Sequence, residues 1–318
     1  MDRTDGIEDD VDETEDSISP EENEKLMREV GSFSFKAIQR AKDMIKPGVR
    51  LLEVAEALEL FVKDNGFDIA FPINLSVNNE AAHYTPTLGD SKVFGESDLV
   101  KVDFGAGKQG VLGDCAVSVD ISGNYQKLIE STEKALSEAI SIIKPGVRVR
   151  DIGKRIDEVI RGMGSLPIKN LGGHGVRIHE LHSDPFIPNF DNGDDTELVE
   201  GDVIAIEPFA TTDRGRGYVG NSDTVEIFSL VHQSNTRSAN SRKLLDKLVA
   251  TERLDPFAAR WFGDLFNSKF ELYAAIGELV RNGALESHPM LIELGGGIVS
   301  QHEAEVVVRH DGCDILTI

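Results

Sequence analysis

Positive charge and cysteine are what this chain has least of. Lys and Arg together number 33 against 56 Asp and Glu, for a formal net charge of -23. A surface so negative repels phosphate backbones, so direct nucleic-acid binding is not expected. The two cysteines, Cys115 and Cys313, are too few for a disulfide scaffold. Cys115 sits in a strand-like run, where a small buried hydrophobe is the simpler reading. No apolar run approaches the roughly 18 residues that a membrane helix requires, and the first residues are acidic rather than basic and then apolar as in a signal peptide. A cytoplasmic protein without membrane contact is therefore expected. What remains is 318 residues, 40% of them hydrophobic, with a mean hydropathy of -0.21, enough apolar material for one large core or two modest ones.

The acidity falls into two parts. Residues 1–25 hold 12 Asp or Glu and 2 Lys or Arg, a charge of -10 that leaves -13 on the remainder. In residues 1–18, MDRTDGIEDDVDETEDSI, like charge is dense and apolar surface scarce, so burial cannot offset the entropy of ordering and a disordered tail is expected. Excess acid spread over the rest fits a protein adapted to concentrated salt, where screening is severe and self-repulsion costs little. Ser19, Pro20 and Glu22 then read as a helix start, with Ser as N-cap, Pro at the first position and an acid at the third.

The segment IKPGVR occurs twice, at 45–50 and 143–148, each time between helical patterns joined through a Pro-Gly turn. Each helix pair is followed by a loop with His-x-x-Pro, His83 to Pro86 and His182 to Pro185, and then by a β-rich run holding an acid, LVKVDFGAG and DVIAIEPFA. Repeated order predicts a pseudo-twofold α+β domain with a site where the halves meet. Between 229 and 294 the pattern changes to helices without intervening strands: SRKLLDKLVATERL, then DPFAARWFGDLF with Asp255 and Pro256 as its start, then KFELYAAIGELVRNG. The expected organisation is a tail (1–18), a main α+β domain (19–228 plus 295–318) and an inserted helical subdomain (229–294), with GGGIVSQHEAEVVVRH completing the main sheet.

The chemistry begins in VKVDFGAGKQGVLGDCAVSVD, where two β-rich runs flank GKQG. A tight hairpin centred on Lys108 and Gln109 pairs Gly107 with Gly110 and hence Asp103 with Asp114. Facing carboxylates in apolar strands repel unless a cation lies between them. The alternative is that one of them faces solvent on an edge strand. Glu207 in VIAIEPFA and an acid in IVSQHEAEVVV repeat the situation, and alternation puts Gln301, Glu303 and Glu305 on one face without choosing between the two glutamates. His174 follows a glycine pair that permits close backbone approach. Carboxylates with one imidazole favour hard or borderline divalent ions such as Mn, Fe or Co over a thiolate-rich structural zinc site.

Five segments occurring in order, FPINLSVNNEAAHYTP, VKVDFGAGKQGVLGDCAVSVD, NLGGHGVRIHELHSDPFIPNF, EGDVIAIEPFATT and QHEAEVVV, resemble the signature stretches of the type II methionine aminopeptidases in their archaeal form, from about residue 22 onward. The resemblance implies a pita-bread fold, itself pseudo-twofold, and two divalent ions drawn from Co, Mn, Fe or Zn. It places Asp103 terminally on one ion, His174 and Glu207 on the other, and Asp114 and Glu303 as bridges. It further implies a water activated between the ions for attack on the carbonyl of the leading methionine, with Glu207 transferring protons. His83 is expected beside the scissile nitrogen and His182 at the carbonyl oxygen. Phe71 and Leu181 are expected to line the methionine pocket, with small second residues preferred. The substrates implied are N-termini of nascent polypeptides near the ribosome, and a monomer is expected. The sequence departs from the family pattern at His302, where an aromatic is usual, and at Ala304, where a histidine is usual; the retained Gln-x-Glu spacing favours Glu303. A proline-specific peptidase of the same fold normally carries a sizeable N-terminal domain, and non-catalytic relatives lose ligands and gain basic extensions; neither pattern fits this chain.

Overall fold

The computed structural model describes residues 19–251 and 256–318; the acidic tail 1–18 and Asp255 lie outside the described residues. Helix α1 (Pro20–Met44) starts as the sequence requires, with the Ser19 hydroxyl accepting the Glu22 N–H at 3.2 Å and Pro20 in the first turn. The first IKPGVR joins α1 to α2 (Leu51–Asp64), and the second joins α3 (Gln126–Ile140) to α4 (Val149–Gly162). The two turns are built alike. Gly48 and Gly146 take φ of 81° and 83°, which a Cβ would disfavour. Their N–H groups donate to the carbonyls of Phe94 and Leu198, each at 2.8 Å, and Arg50 and Arg148 each form an antiparallel bridge, to Val93 and Glu197.

The helix pairs cover an antiparallel sheet whose order across its width is Glu180–Pro188, Gly172–Arg177, Val203–Ile206, Glu303–Arg309, Cys115–Asp120, Leu99–Phe104 and Asn74–Val77, with Gly312–Ile315 added to Glu303–Arg309. A late strand thus lies at the centre and joins the two halves. Val100, Val102 and Phe104 pack into one core with α1 and α2, while Ile204, Ile206, Val306 and Val308 pack into a second with α3 and α4. Side chains alternate across a strand, so Lys101 and Asp103, and likewise Glu303 and Glu305, project from the opposite face. The repeat is incomplete. His83–Pro86 is a loop, but His182–Pro185 falls inside the strand Glu180–Pro188, whose pairing with Gly172–Arg177 shifts register twice.

Segment 229–294 departs from the all-helical expectation. Helices α5 (Ala239–Ala250) and α6 (Lys269–Arg281) form, but the stretch read as a helix beginning at Asp255 and Pro256 is instead a short strand, Phe257–Ala258, followed by a 3-10 turn, Ala259–Leu265. Leu285–Glu293 is a strand paired along Val219–Leu230, and its Pro289 is incompatible with a helix interior. A separate core of Phe228, Leu244, Leu248, Phe257, Leu272 and Leu279 holds these pieces together. Packing of Phe257 edge-on against Phe262, with ring centroids 5.2 Å apart, outweighs the helical periodicity of that stretch. Among the described residues no helix is long and apolar enough to cross a membrane.

Candidate metal centre

The hairpin that carries the first two acids turns one residue later than its sequence implies. Gln109 and Gly110 both have positive φ, 52° and 80°, and Lys108 pairs with Val111, a two-residue connection of the kind that matches strand twist. In that register Asp103 lies opposite Ala116 rather than Asp114. Asp114 precedes the strand Cys115–Asp120 by one residue, and its N–H donates to Glu305 Oε2 at 3.0 Å. The two aspartates are diagonal neighbours on one face. The error in partner is two residues, and an even shift leaves a side chain on its face.

His174 lies between two glycines that let strands meet without side chains. A Cβ on Gly173 would stand 1.9 Å from the Ala205 carbonyl oxygen, and one on Gly175 would stand 2.3 Å from that of Asp184. The imidazole donates from Nδ1 to the Gly175 carbonyl at 3.1 Å. In the neutral ring Nε2 then presents a lone pair to Asp114 Oδ2, 3.5 Å away. Two acceptors facing one another at that distance call for a cation between them.

Glu207 follows the end of the strand Val203–Ile206, where Pro208 stops it, and Glu303 opens the central strand. One ligand atom each from Asp114, His174 and Glu303 lies within 4.8 Å of the others, and Asp103, Glu207 and Glu303 form a second such set. Glu303 belongs to both sets. Glu207 stands with Asp103 and not with His174 as the resemblance implies, held there by Gln301, whose Nε2 donates to Glu207 Oε1 at 2.7 Å and to Asp103 Oδ2 at 3.2 Å. Asp103 Oδ1, Asp114 Oδ1 and both Glu303 oxygens are buried without a hydrogen-bond donor. Burial, and then the neighbouring carboxylates, push Asp103, Glu207 and Glu303 well above the usual carboxylate range. Buried, unpartnered oxygens beside an imidazole lone pair are a donor set suited to hard or borderline divalent ions. Glu305, also buried, is committed to the Asp114 N–H and joins neither set among the described residues.

Asp103, Asp114, His174 and Glu207 open into a cavity of 280 Å³ that Phe71, Leu181, His83 and His182 also line. Phe71 and Leu181 share one apolar cluster with Ala70, Leu112, Val176 and Ala205. His83 donates from Nδ1 to the Pro289 carbonyl at 3.3 Å, and burial lowers its imidazole to about 4, so Nε2 is a free acceptor at neutral pH. The His182 ring meets His174 edge-on with centroids 4.3 Å apart. Although His182 opens to solvent, the protein packed around it, and then His174, lower it to about 4. A roomier groove of 470 Å³ between Lys63, Phe67, Lys108, His179 and Trp261 holds none of the candidate ligands. Two lining or bracing residues escaped the sequence reading. Gln301 was visible only as a neutral neighbour of Glu303, and His288, at the cavity wall, lies in a stretch that read as helical insertion. His302, the unusual residue beside Glu303, turns to Thr132 Oγ1 at 2.9 Å, and burial lowers it to about 4.

The sequence matches metallopeptidase family M24 over residues 25–228. It is 39% identical over 300 residues to a methionine aminopeptidase of Archaeoglobus fulgidus, covering 94% of this chain and 100% of that one. To a methionine aminopeptidase of Pyrococcus horikoshii it is 40% identical over 291 residues, covering 91% and 97%. The crystal structure of the Thermotoga maritima methionine aminopeptidase superimposes with a TM-score of 0.68 at 25% identity, covering 94% of this chain and 97% of that one. Matches on this scale, with carboxylate and histidine clusters on a pseudo-twofold sheet, mean that the chain belongs to the M24 metallopeptidases and, within them, to the methionine aminopeptidases, hydrolases that remove an N-terminal methionine.

Proposed function

We propose that the two overlapping ligand sets hold two divalent ions, from Co, Mn, Fe or Zn, and that the centre acts on the leading methionine of nascent polypeptides. Asp103, Asp114, His174, Glu207 and Glu303 are the ligands, with Glu303 shared; the observation that carries this is its membership of both sets. Bound there, such ions supply Lewis acidity and water of lowered pKa.

The chain's own groups do the rest. Gln301 holds the Glu207 carboxylate in place, and that carboxylate takes up a proton and returns it to the leaving amine. His83 accepts the substrate N–H at Nε2, since its Nδ1 proton is committed to Pro289. His182, neutral, donates to the carbonyl oxygen as charge develops there. Phe71 and Leu181 enclose the methionine side chain, a burial that contributes about 1.5–3 kcal/mol. A cavity of 280 Å³ leaves little room beyond the scissile bond, which favours small second residues. The protein works as a cytoplasmic monomer near the ribosome.

The test is to strip the metal, reconstitute with each ion in turn, and assay Met-Ala and Met-Pro peptides against an Ala-Pro peptide. Methionine is released from the first two and the third stays intact. Cleavage of the Ala-Pro peptide alone sinks the reading.

A further inference from the structure

We propose that the described residues between Glu226 and Glu293 buttress the His83 loop, with Arg260 as the central positioning residue. The inference rests on His83 acting in the reaction, as proposed above. His83 sits at φ 63°, in the left-handed region that a residue with a Cβ adopts only when its surroundings impose it. Tyr84, the next residue, is held by Leu75 and Ser76 of the strand Asn74–Val77, and the remaining contacts come from one segment. Ala82 pairs with Leu291, and His83 Nδ1 donates to the Pro289 carbonyl. Arg260 Nη1 donates to Thr85 Oγ1 at 2.7 Å and to the Pro86 carbonyl at 3.0 Å. The Tyr273 hydroxyl meets Thr87 Oγ1 at 2.7 Å and also donates to Glu226, and Lys269 reaches the Leu88 carbonyl at 3.4 Å.

Arg260 is what fastens this clamp to the rest of the molecule. Its guanidinium is buried, and while Nη1 holds the loop, Nη2 bonds Glu59 of α2, whose carboxylate also accepts the Trp261 Nε1–H at 2.9 Å. A planar fork of fixed geometry serves helix and loop together, which a lysine ammonium cannot do. The chain therefore runs from α2 through Glu59 and Arg260 to Thr85 and Pro86, two and three residues from His83. Strand Leu285–Glu293 completes it by fixing the tautomer, because a carbonyl at Nδ1 leaves the lone pair at Nε2. The segment inserted before the last strands thus sets both the position and the tautomer of a histidine that lies in the other part of the sequence.

The metal-loaded enzyme tests this with two substitutions. Thr85→Val removes one of the loop's two acceptors for Arg260 and leaves the buried Arg260–Glu59 pair intact, so it guards against simple misfolding; Arg260→Lys keeps the charge and loses the fork. Each is expected to lower kcat roughly 10- to 100-fold with KM within about 3-fold, because a small misplacement of a reacting group costs on that scale. The 15N signals of His83 are expected to move from a single Nδ1–H tautomer to an averaged pair. In a His83→Ala background either substitution should lower kcat by no more than about 2-fold, the non-additivity of groups acting through one another. An undiminished kcat in folded variants, or an equal loss with and without His83, overturns the buttress. If His83→Ala itself keeps the parent's kcat, the catalytic reading of His83 fails instead, and the buttress then stands or falls on the 15N signals: an averaged pair supports it and an unchanged single tautomer overturns it.

Discussion

Asp103, Asp114 and Glu303 are a burden on the metal-free fold, since each has a buried oxygen without a donor and each lies beside another carboxylate. Removing one charge should therefore separate function from stability. Asp114→Asn is expected to abolish turnover while circular dichroism stays unchanged and the metal-free unfolding midpoint rises; a fully active variant would remove Asp114 from the ligand set. Gln301→Ala frees Glu207 from Asp103 and should weaken metal binding about 10- to 100-fold, the usual cost of losing a residue that orients ligands, measured by titration into the metal-free protein. Asp103, Asp114 and Glu207 were legible because a carboxylate in an apolar strand demands a reason, and a hairpin misread by one turn residue shifts the partner by two and keeps the face, whereas alternation alone did not separate Glu303 from Glu305. Gln301 was not legible. An uncharged amide gives no such alarm, and its two acceptors lie 94 and 198 residues away.

At the scale of elements, the strand Gly172–Arg177 shows how backbone approach places a ligand. Gly173→Ala puts a methyl group against the Ala205 carbonyl, so it should cost about 1–3 kcal/mol of stability and weaken metal binding in the same variant, read by denaturant unfolding and by metal titration. Unchanged metal affinity would show that the close contact does not position His174. The helix start at Ser19 and the paired Pro-Gly turns were readable because caps and turns are local chemistry. The strand Leu285–Glu293 was not, because its partner is Val219–Leu230 and its state depends on that distant pairing rather than on its own sequence.

Across the whole molecule, pH and salt act on charge. His83 is lowered from its ordinary 6.5 to about 4, so between those values the folded chain binds fewer protons than the unfolded one. Its contribution is complete above pH 6.5 and is lost as pH falls toward 4. A His83→Gln variant should accordingly show a shallower fall in unfolding midpoint across that window. The net charge of -23 sets the salt response. Raising KCl from about 0.1 M to about 1 M shortens the screening length from ~10 Å to ~3 Å, and the midpoint should climb with it. A chain that keeps full stability and activity after dialysis into dilute buffer would refute adaptation to salt.

Glu303 stands in two ligand sets, and manganese titration of the metal-free protein followed by electron paramagnetic resonance tests its bridging role directly. Two ions per chain with a spin-coupled signal are predicted, and the coupling is lost in Glu303→Gln. One ion per chain, or a Glu303→Gln variant that binds two coupled ions as the parent does, would contradict it.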